Sequence, residues 1–441
     1  MGGKASFMYN LVSFFGIFIL MAFAWVLSPD RKVINWRVVF RGTVLQLLFA
    51  VFIFIIPAGA KGFLLINDVV VRVLDSATAG TKFLFGRLAL PPGAVNEAGE
   101  SSLGFILAFQ ALPTIVFFAS LMGLLYYLGF MPWLIGIFSR GFTRLMRISG
   151  AESLCTASNI FVGIESATTI RPYIERMTPS ELCTILTAGM ATVASSVLAL
   201  YVFILYSQFP TIAGHLISAS LLSAPAAVVM SKLLLPETGT PETLGVDVHP
   251  QYEKESTLME AIINGANAGM KLVIGIMALL LALLGIVALV DLVLVYAGSG
   301  VNNVLGINFD WSLRGLLGYL FYPFTLVIGV PPSDAGAIAK IIGERVIMTE
   351  VKSYQDLAVL LTNQSLKDPR SAFIAVYALC GFAHVASLAI FVGGIAALAP
   401  KRAADLSRVG FRALLAATLA CLMTAAVAGT FYTQGSILLG K

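Results

Sequence analysis

Eight long apolar runs alternate with short polar stretches along the chain. They cover roughly residues 8–28, 41–60, 102–128, 181–207, 213–235, 271–297, 371–398 and 406–436. About 20 consecutive apolar residues are enough for a helix to cross a bilayer. We therefore predict an all-α polytopic membrane protein with eight transmembrane helices.

Two further apolar segments are interrupted by polar residues. The first, 130–178, contains NIFVGIESATTIRPY at 159–173, and the second, 312–355, contains GVPPSDAGAIAKIIGERVIMTEV at 329–351. Each interrupted segment precedes a span. The pattern therefore predicts two units, each a re-entrant hairpin followed by a span, with the two hairpins entering the membrane from opposite sides. Inverted repeats with broken helices near the bilayer midplane are typical of secondary transporters.

This pattern also predicts how the chain is divided. Two amphipathic segments, 61–100 and 256–270, are expected to lie on the membrane interface. The six predicted parts are the scaffold spans with the outer interfacial helix (1–101), the third span (102–129), the first hairpin with its following span (130–207), spans five and six with the second interfacial helix (208–311), the second hairpin with its span (312–398) and the last span (399–441).

Composition supports the membrane assignment and excludes several functions. Of 441 residues, 58% are hydrophobic and 12% charged, with a mean hydropathy of +0.91; a soluble domain has about 25% charged residues. The four cysteines lie in apolar segments without CxxC spacing, so neither a disulfide nor a metal site is indicated. No nucleotide-binding or hydrolase motif is present, so nothing indicates an enzyme, and uphill transport would need an ion gradient.

Basic residues are clustered, although the net charge is only +5. Such clusters mark cytoplasmic loops, which predicts that the N-terminus lies outside. The pattern gives no reason to expect a nucleic-acid partner. The clusters are Arg31, Lys32, Arg37 and Arg41; Arg140, Arg144 and Arg147; and Lys401, Arg402, Arg408 and Arg412.

The first interrupted segment carries a candidate cation site. Gly163 can open the helix, and carbonyls freed around Asn159 and Val162 are the oxygen ligands that alkali cations prefer. For the neighbouring Ser and Thr hydroxyls, the alternative is that they only provide small side chains for close packing between helices. Glu165 is a functional candidate because ionisable groups within a membrane are costly; the alternatives are a position near water or an ion pair with Arg171.

The second interrupted segment and the span after it suggest a ligand site. Glu350 ends the interrupted segment, and CGFAHVAS follows at 380–387. A lone buried histidine such as His384 is more often structural than functional. Phe382 and Ser387 share its segment, however, and an aromatic face beside hydrogen-bonding groups suits a flat polar ligand.

Several blocks of sequence, in the right order, resemble the concentrative nucleoside transporter family. The resemblance covers most of the chain from about residue 102. The blocks are FQALPTIVFFASLMGLLYYLG (109–129), SGAESLCTASNIFVG (149–163), PYIERMTPSELCTILTAGMATVASSVLALY (172–201), EAIINGANAGMKL (260–272), GVP (329–331) and YALCGFAHVASLAIFVGG (377–394).

The resemblance implies a homotrimer of eight-span protomers with two re-entrant hairpins, which imports nucleosides with sodium by an elevator-like movement. The implied sodium ligands are Asn159, Val162, Thr192 and Val193. The implied residues that hold the sugar and flank the base are Glu350, Phe382 and Ser387.

The sequence departs from the family where the base is read. The family's Gly-Gln-Thr-Glu is Gly163-Ile164-Glu165-Ser166 here, so the Gln amide is replaced by an alkyl group and the carboxylate is one residue earlier. One residue along a helix turns a side chain by about 100°. The Asn of the family's CGFAN motif is His384, and the Asn of its Asn-Glu-Phe motif is Thr349.

We therefore expect a sodium-driven importer of nucleosides or a nucleoside-like solute in a bacterial inner membrane. Glu350, His384 and Ser387 would hold the sugar-like portion, and Glu165 and Ser166 would face the remainder. Gly163, Ile164 and Phe382 complete the predicted substrate-binding residues. The alternatives are a non-nucleoside polar solute, proton coupling through Glu165 or His384, and a passive channel or a sensing protein.

Overall fold

The computed structural model describes residues 2–96, 99–250 and 255–433, with side chains throughout except for residues 2–6 and 164. Within these ranges the regular structure is helical, apart from two isolated bridges, Val95–Ser101 and Ser149–Leu244. The predicted all-α fold is confirmed. Residues 97–98 of the outer interfacial segment, residues 434–436 of the last predicted span and the side chain of Ile164 lie outside this description.

The N-terminal part begins with three long helices: α1 (Gly2–Val26), α2 (Trp36–Phe54) and α3 (Pro57–Phe85). The second span lies earlier than the predicted 41–60. The Asn35 side chain accepts a hydrogen bond from the Arg37 backbone N–H and starts α2 there, and Pro57 stands in the first turn of α3. α3 buries one face along its length, as an amphipathic helix does.

A 3₁₀ turn (Gly86–Ala89) and a loop lead to the short helix α4 (Leu107–Gln110) and to α5 (Pro113–Tyr127). The first repeat follows: α6 (Phe130–Met146), α7 (Gly150–Asn159), α8 (Arg171–Ile174), α9 (Pro179–Ala191), α10 (Ser195–Leu205) and α11 (Ile212–Leu234). Capping boxes start two of these helices, Ser149 with Glu152 on α7 and Thr178 with Glu181 on α9. α7 and α8, joined by a 3₁₀ segment over 164–170, form a hairpin. The predicted span over 181–207 is a broken helix, interrupted at 192–194.

α12 (Leu258–Leu305) is a single helix of 48 residues, where the sequence predicted an interfacial helix and a separate span. It packs closely on α5 through the GANAG stretch at 265–269. A Cβ on Gly265 would lie 2.6 Å from the Ala119 carbonyl oxygen, so only glycine permits this approach. Only 11% of the most apolar 18-residue stretch of α12 is buried. The remaining faces of this helix are therefore available to lipid or to another protomer.

The second repeat contains α13 (Leu313–Val327), α14 (Pro332–Ile347), α15 (Glu350–Thr362), α16 (Pro369–Leu379), α17 (Val385–Leu398) and α18 (Ala403–Thr430). Its order matches the first: a helix, a two-armed hairpin, a helix broken in the middle and a long helix. The predicted span over 371–398 is the broken one, with its interruption at 380–384. The architecture is that of a transporter built from two structural repeats.

The centre of the molecule is formed by α9, α11 and α18, which are almost fully buried. Among the described residues, seven helical segments are long and apolar enough to cross a membrane, with α9 and α10 counted together. α16 and α17 form a second broken segment of comparable length. If this pair also crosses the membrane, the count is the predicted eight.

Candidate functional site

The first hairpin turns at residues 160–163, and Asn159 holds the turn together. Asn159 is the last residue of α7 and is fully buried. Its Nδ2 donates to the Cys155 carbonyl at 3.0 Å, and its Oδ1 accepts from Ser166 Oγ at 2.9 Å. The amide thus joins the two arms of the hairpin, and Oδ1 keeps a second lone pair for another donor or a cation.

The hairpin tip lies against the break between α9 and α10. The Ser195 N–H donates to the Phe161 carbonyl at 3.0 Å, and Ser220 Oγ on α11 donates to the Ile160 carbonyl at 3.0 Å. At the break Thr192 has extended backbone, φ −111° and ψ 169°. Its hydroxyl donates to the Ala188 carbonyl at 2.8 Å. The tip and the break, which carry the predicted sodium ligands Asn159, Val162, Thr192 and Val193, therefore meet at one junction.

Three hydroxyls beside this junction were missed by the sequence reasoning. Ser153, Thr156 and Ser158 are fully buried on α7, and their oxygens have no hydrogen-bond partner among the described residues. Buried polar atoms without a partner are uncommon in folded proteins. The signal was present in the stretch SLCTASN, where three hydroxyls fall within the six residues before Asn159.

A cavity of about 910 Å³ opens beside the hairpin tip. Val162, Gly163 and Glu165 line it from the tip, facing Tyr126 on α5 and Asn264 on α12. Glu165 is exposed at this cavity.

The neighbours of Glu165 behave differently. Arg171 lines the same cavity, but the structure shows no ion pair between these two described residues. Ser166 is buried and donates to Asn159. It is therefore part of the hairpin support and does not line the cavity.

The second candidate cluster is buried around Glu350, the first residue of α15. Its Oε1 accepts from Tyr201 Oη on α10 at 2.5 Å, and its Oε2 lies 3.0 Å from His384 Nε2. His384 Nδ1 accepts the Ser387 N–H at 3.1 Å. Because Nδ1 accepts this N–H, Nε2 is the nitrogen that carries the proton in a neutral ring, and it faces Glu350 Oε2.

Ser387 and Phe382 complete this cluster. Ser387 Oγ donates to the His384 carbonyl at 2.7 Å, within the first turn of α17. Phe382 is half-buried, with its ring centroid 6.2 Å from that of His384. Tyr201 was missed by the sequence reasoning, because a tyrosine in a helix as apolar as α10 reads as a core residue.

The two clusters are connected along α10. Ser196 lines the cavity, and Tyr201 is five residues further along the same helix, about 7.5 Å at the α-helical rise of 1.5 Å per residue. The Glu350 cluster itself does not line this cavity. An exposed region at the hairpin tip and a buried polar cluster thus lie along one helix.

Comparisons with known proteins identify the family. Family models described as the N-terminus and the C-terminus of the Na⁺-dependent nucleoside transporter match residues 15–88 and 215–429, and a nucleoside recognition model named Gate matches residues 108–208. The chain belongs to the concentrative, Na⁺-dependent nucleoside transporter family and is a multi-pass membrane protein.

Its relatives include bacterial and animal transporters. An uncharacterized transporter of Haemophilus influenzae is 36% identical over 436 residues, 97% of this chain and 99% of that protein. Nucleoside permease NupC of Helicobacter pylori is 34% identical over 425 residues, 96% of this chain and 98% of that protein. Solute carrier family 28 member 3 of mouse is 36% identical over 434 residues, but the match spans only 58% of the mouse protein.

Solved structures agree in fold. CNTnw in an inward-facing, substrate-bound state has a TM-score of 0.84 and 35% identity, covering 96% of this chain and 98% of that one. A variant of CNTnw in an outward-facing state also has a TM-score of 0.84, with 34% identity and the same coverage.

Proposed function

We propose that this protein is a sodium-coupled importer of nucleosides in a bacterial inner membrane, with its N-terminus outside. The observation that carries the proposal is the junction at which the first hairpin tip is hydrogen-bonded to the break between α9 and α10, beside a cavity large enough for a nucleoside. Cavities of about 300–1,000 Å³ are usual for small-molecule ligands.

Sodium would bind at this junction, with Asn159, Val162, Thr192 and Val193 as its ligands. Asn159 Oδ1 keeps a free lone pair, and the C-terminal end of α9 presents backbone carbonyls that have no partner further along the helix. Both are uncharged oxygens, which suit a monovalent alkali cation. The unpartnered hydroxyls of α7 provide more oxygen close by.

The sugar would bind at the Glu350 cluster. Each carboxylate oxygen can accept a further hydrogen bond, and ribose hydroxyls are donors. His384 Nε2 lies 3.0 Å from the carboxylate, and the Ser387 backbone N–H orients the His384 ring. Phe382 offers an aromatic face beside them. These contacts support a role for Glu350, Phe382, His384 and Ser387 in binding the solute.

The base end would favour a purine with adjacent N–H donors. Glu165 can only accept hydrogen bonds when ionised, whereas the family's Gln both donates and accepts. A carboxylate matches guanine, whose N1–H and N2–H₂ point the same way. Uracil places two acceptors beside its single N–H. Gly163 lets the tip lie close to the break between α9 and α10, since a Cβ there would lie 3.2 Å from the Ala194 Cβ.

The proposal also includes an elevator-type movement and a homotrimeric assembly. Structures of CNTnw are described as outward-facing, intermediate and inward-facing, which supports an elevator-type movement of the hairpins and broken helices here. The exposed apolar faces of α12 support assembly into a homotrimer around a scaffold of α5 and α12.

The test is uptake into proteoliposomes across a panel of nucleosides, with a sodium gradient, a proton gradient or neither. We expect guanosine to accumulate above equilibrium only with sodium. Accumulation with protons alone would favour proton coupling through Glu165 or His384. Equilibration without accumulation would indicate a channel, and failure with every nucleoside a different solute.

A further inference from the structure

Arg345 is a fully buried cation that takes no part in the proposed sodium or nucleoside sites. It lies on α14, the first arm of the second hairpin, with none of its side chain exposed. Nη1 donates to the Ala378 carbonyl at 2.6 Å, while Nε and Nη2 have no hydrogen-bond partner among the described residues. Within that part of the chain no carboxylate forms an ion pair with it. A buried charge without a counter-charge is strongly unfavourable, so its surroundings must compensate in another way.

The compensation comes from the end of a helix. Ala378 lies in the last turn of α16, which stops at Leu379 before the break. The last four carbonyls of a helix lack partners within it, and together they carry about half a negative charge. Arg345 therefore points into the carbonyl end of α16, where a cation is favoured.

A second helix end of the same sign lies next to this one. Cys421 on α18 is placed between them: its Sγ lies 3.2 Å from the Cys380 carbonyl oxygen after α16 and 3.8 Å from the Ala191 carbonyl oxygen at the end of α9. A Cβ on Gly381 would lie 2.8 Å from that same Ala191 oxygen. Two negative helix ends thus meet in the buried centre of the molecule, and each favours a positive charge nearby.

We propose that Arg345 is a built-in cation that does at the end of α16 what the sodium ion does at the end of α9. The two repeats correspond in this respect. In the first repeat, the first hairpin arm carries Asn159, which would hold sodium at the end of α9. In the second repeat, the first hairpin arm carries the guanidinium that lies at the end of α16. Because Arg345 cannot dissociate, the second end needs no ion from solution. Each nucleoside is therefore carried with one sodium ion.

This inference rests on the proposed sodium coupling, and the coupling ratio tests it separately. In proteoliposomes with the membrane potential held at zero, we expect a tenfold sodium gradient to balance about a tenfold opposing gradient of guanosine. If the tenfold sodium gradient instead balances about a hundredfold guanosine gradient, two sodium ions are carried with each nucleoside. That result would overturn the role of Arg345 and leave sodium coupling intact. No dependence on sodium would refute the proposed function itself.

Variants of Arg345 provide a readout that does not depend on transport. In purified Arg345→Gln the end of α16 loses its cation and can accept sodium, so the melting temperature should rise about twice as steeply with the logarithm of sodium concentration as in the unsubstituted protein. Arg345→Lys keeps the charge and should keep the original slope. An unchanged slope in Arg345→Gln, whatever its melting temperature, contradicts the proposal. If Arg345→Gln does not fold, the coupling ratios of the unsubstituted protein and of Arg345→Lys decide, and a ratio of two in either refutes it.

Discussion

At the scale of single residues, Glu350 is the side chain whose chemistry is most constrained. One of its carboxylate oxygens accepts a hydrogen bond from Tyr201, and the other lies 3.0 Å from His384 Nε2. A glutamine has the same shape but replaces one acceptor by an N–H₂ donor, which would face another donor. We expect Glu350→Gln to reduce guanosine uptake at least tenfold, because losing a hydrogen bond to a charged group costs about 1.5–3 kcal/mol.

Initial rates in proteoliposomes measure this loss. Glu175→Gln is a matched control, since this half-exposed glutamate pairs with the exposed Lys401 and does not belong to the buried cluster. Normal accumulation by Glu350→Gln would show that the sugar does not bind there.

Glu165 is the residue that we expect to select the base. Glu165→Gln exchanges one acceptor for a donor, so guanosine should compete at least fivefold more weakly, while adenosine, which presents one donor and one acceptor, should compete as well or better. Inhibition of labelled guanosine uptake by a nucleoside panel measures both effects. Ser166→Ala is the contrasting variant: it removes a support of Asn159 and should weaken sodium dependence without changing base preference. An unchanged order of nucleosides in Glu165→Gln would exclude this role.

At the scale of helices, the contact between the hairpin tip and α10 can be removed by a single change. Ser195 is the first residue of α10, where proline fits because no helical hydrogen bond needs that N–H, and Ala194 already has the extended conformation that a following proline requires. Ser195→Pro therefore removes only the bond to the Phe161 carbonyl. We expect the sodium concentration for half-maximal uptake to rise roughly two- to tenfold, the effect of one hydrogen bond of 0.5–1.5 kcal/mol.

Ser195→Ala keeps the backbone N–H and loses only the hydroxyl, so it should behave as the unsubstituted protein. The melting temperature in saturating sodium shows whether both variants are folded. Equal sodium dependence in the two variants would mean that the docking of the tip does not shape the ion site.

At the scale of the whole molecule, the proposed assembly makes a prediction about mass. α12 leaves most of its length uncovered, and large exposed apolar faces in a membrane protein contact either lipid or another chain. Native mass spectrometry from detergent should give a particle of three times the 46.9 kDa of the chain. A monomer in every detergent that preserves sodium-dependent guanosine binding would contradict the trimer.

The sequence alone determined the class of protein. Apolar runs of sufficient length require membrane spans, because an unsatisfied backbone in lipid is too costly for any structure except helices or closed barrels. The polar interruptions at NIFVGIESATTIRPY and around Glu350 also predicted where the repeats would be irregular. Asn159 and Glu350 could be chosen as candidates because polar groups at such depth need a reason to be there.

Only the tertiary structure decided which of these groups meet. Helical periodicity does not reveal that 181–207 and 371–398 are broken, since both halves of each are apolar. Nor does it show that the breaks lie against each other, that Ser166 supports Asn159, or that Tyr201 completes the Glu350 cluster. These contacts join residues between seven and 230 positions apart in sequence. The physical reason for these contacts is packing. The hairpin tips and half-helix ends expose polar backbone groups, and burying those groups at the centre of the molecule requires partners from other helices. The guanidinium of Arg345 is one of these partners.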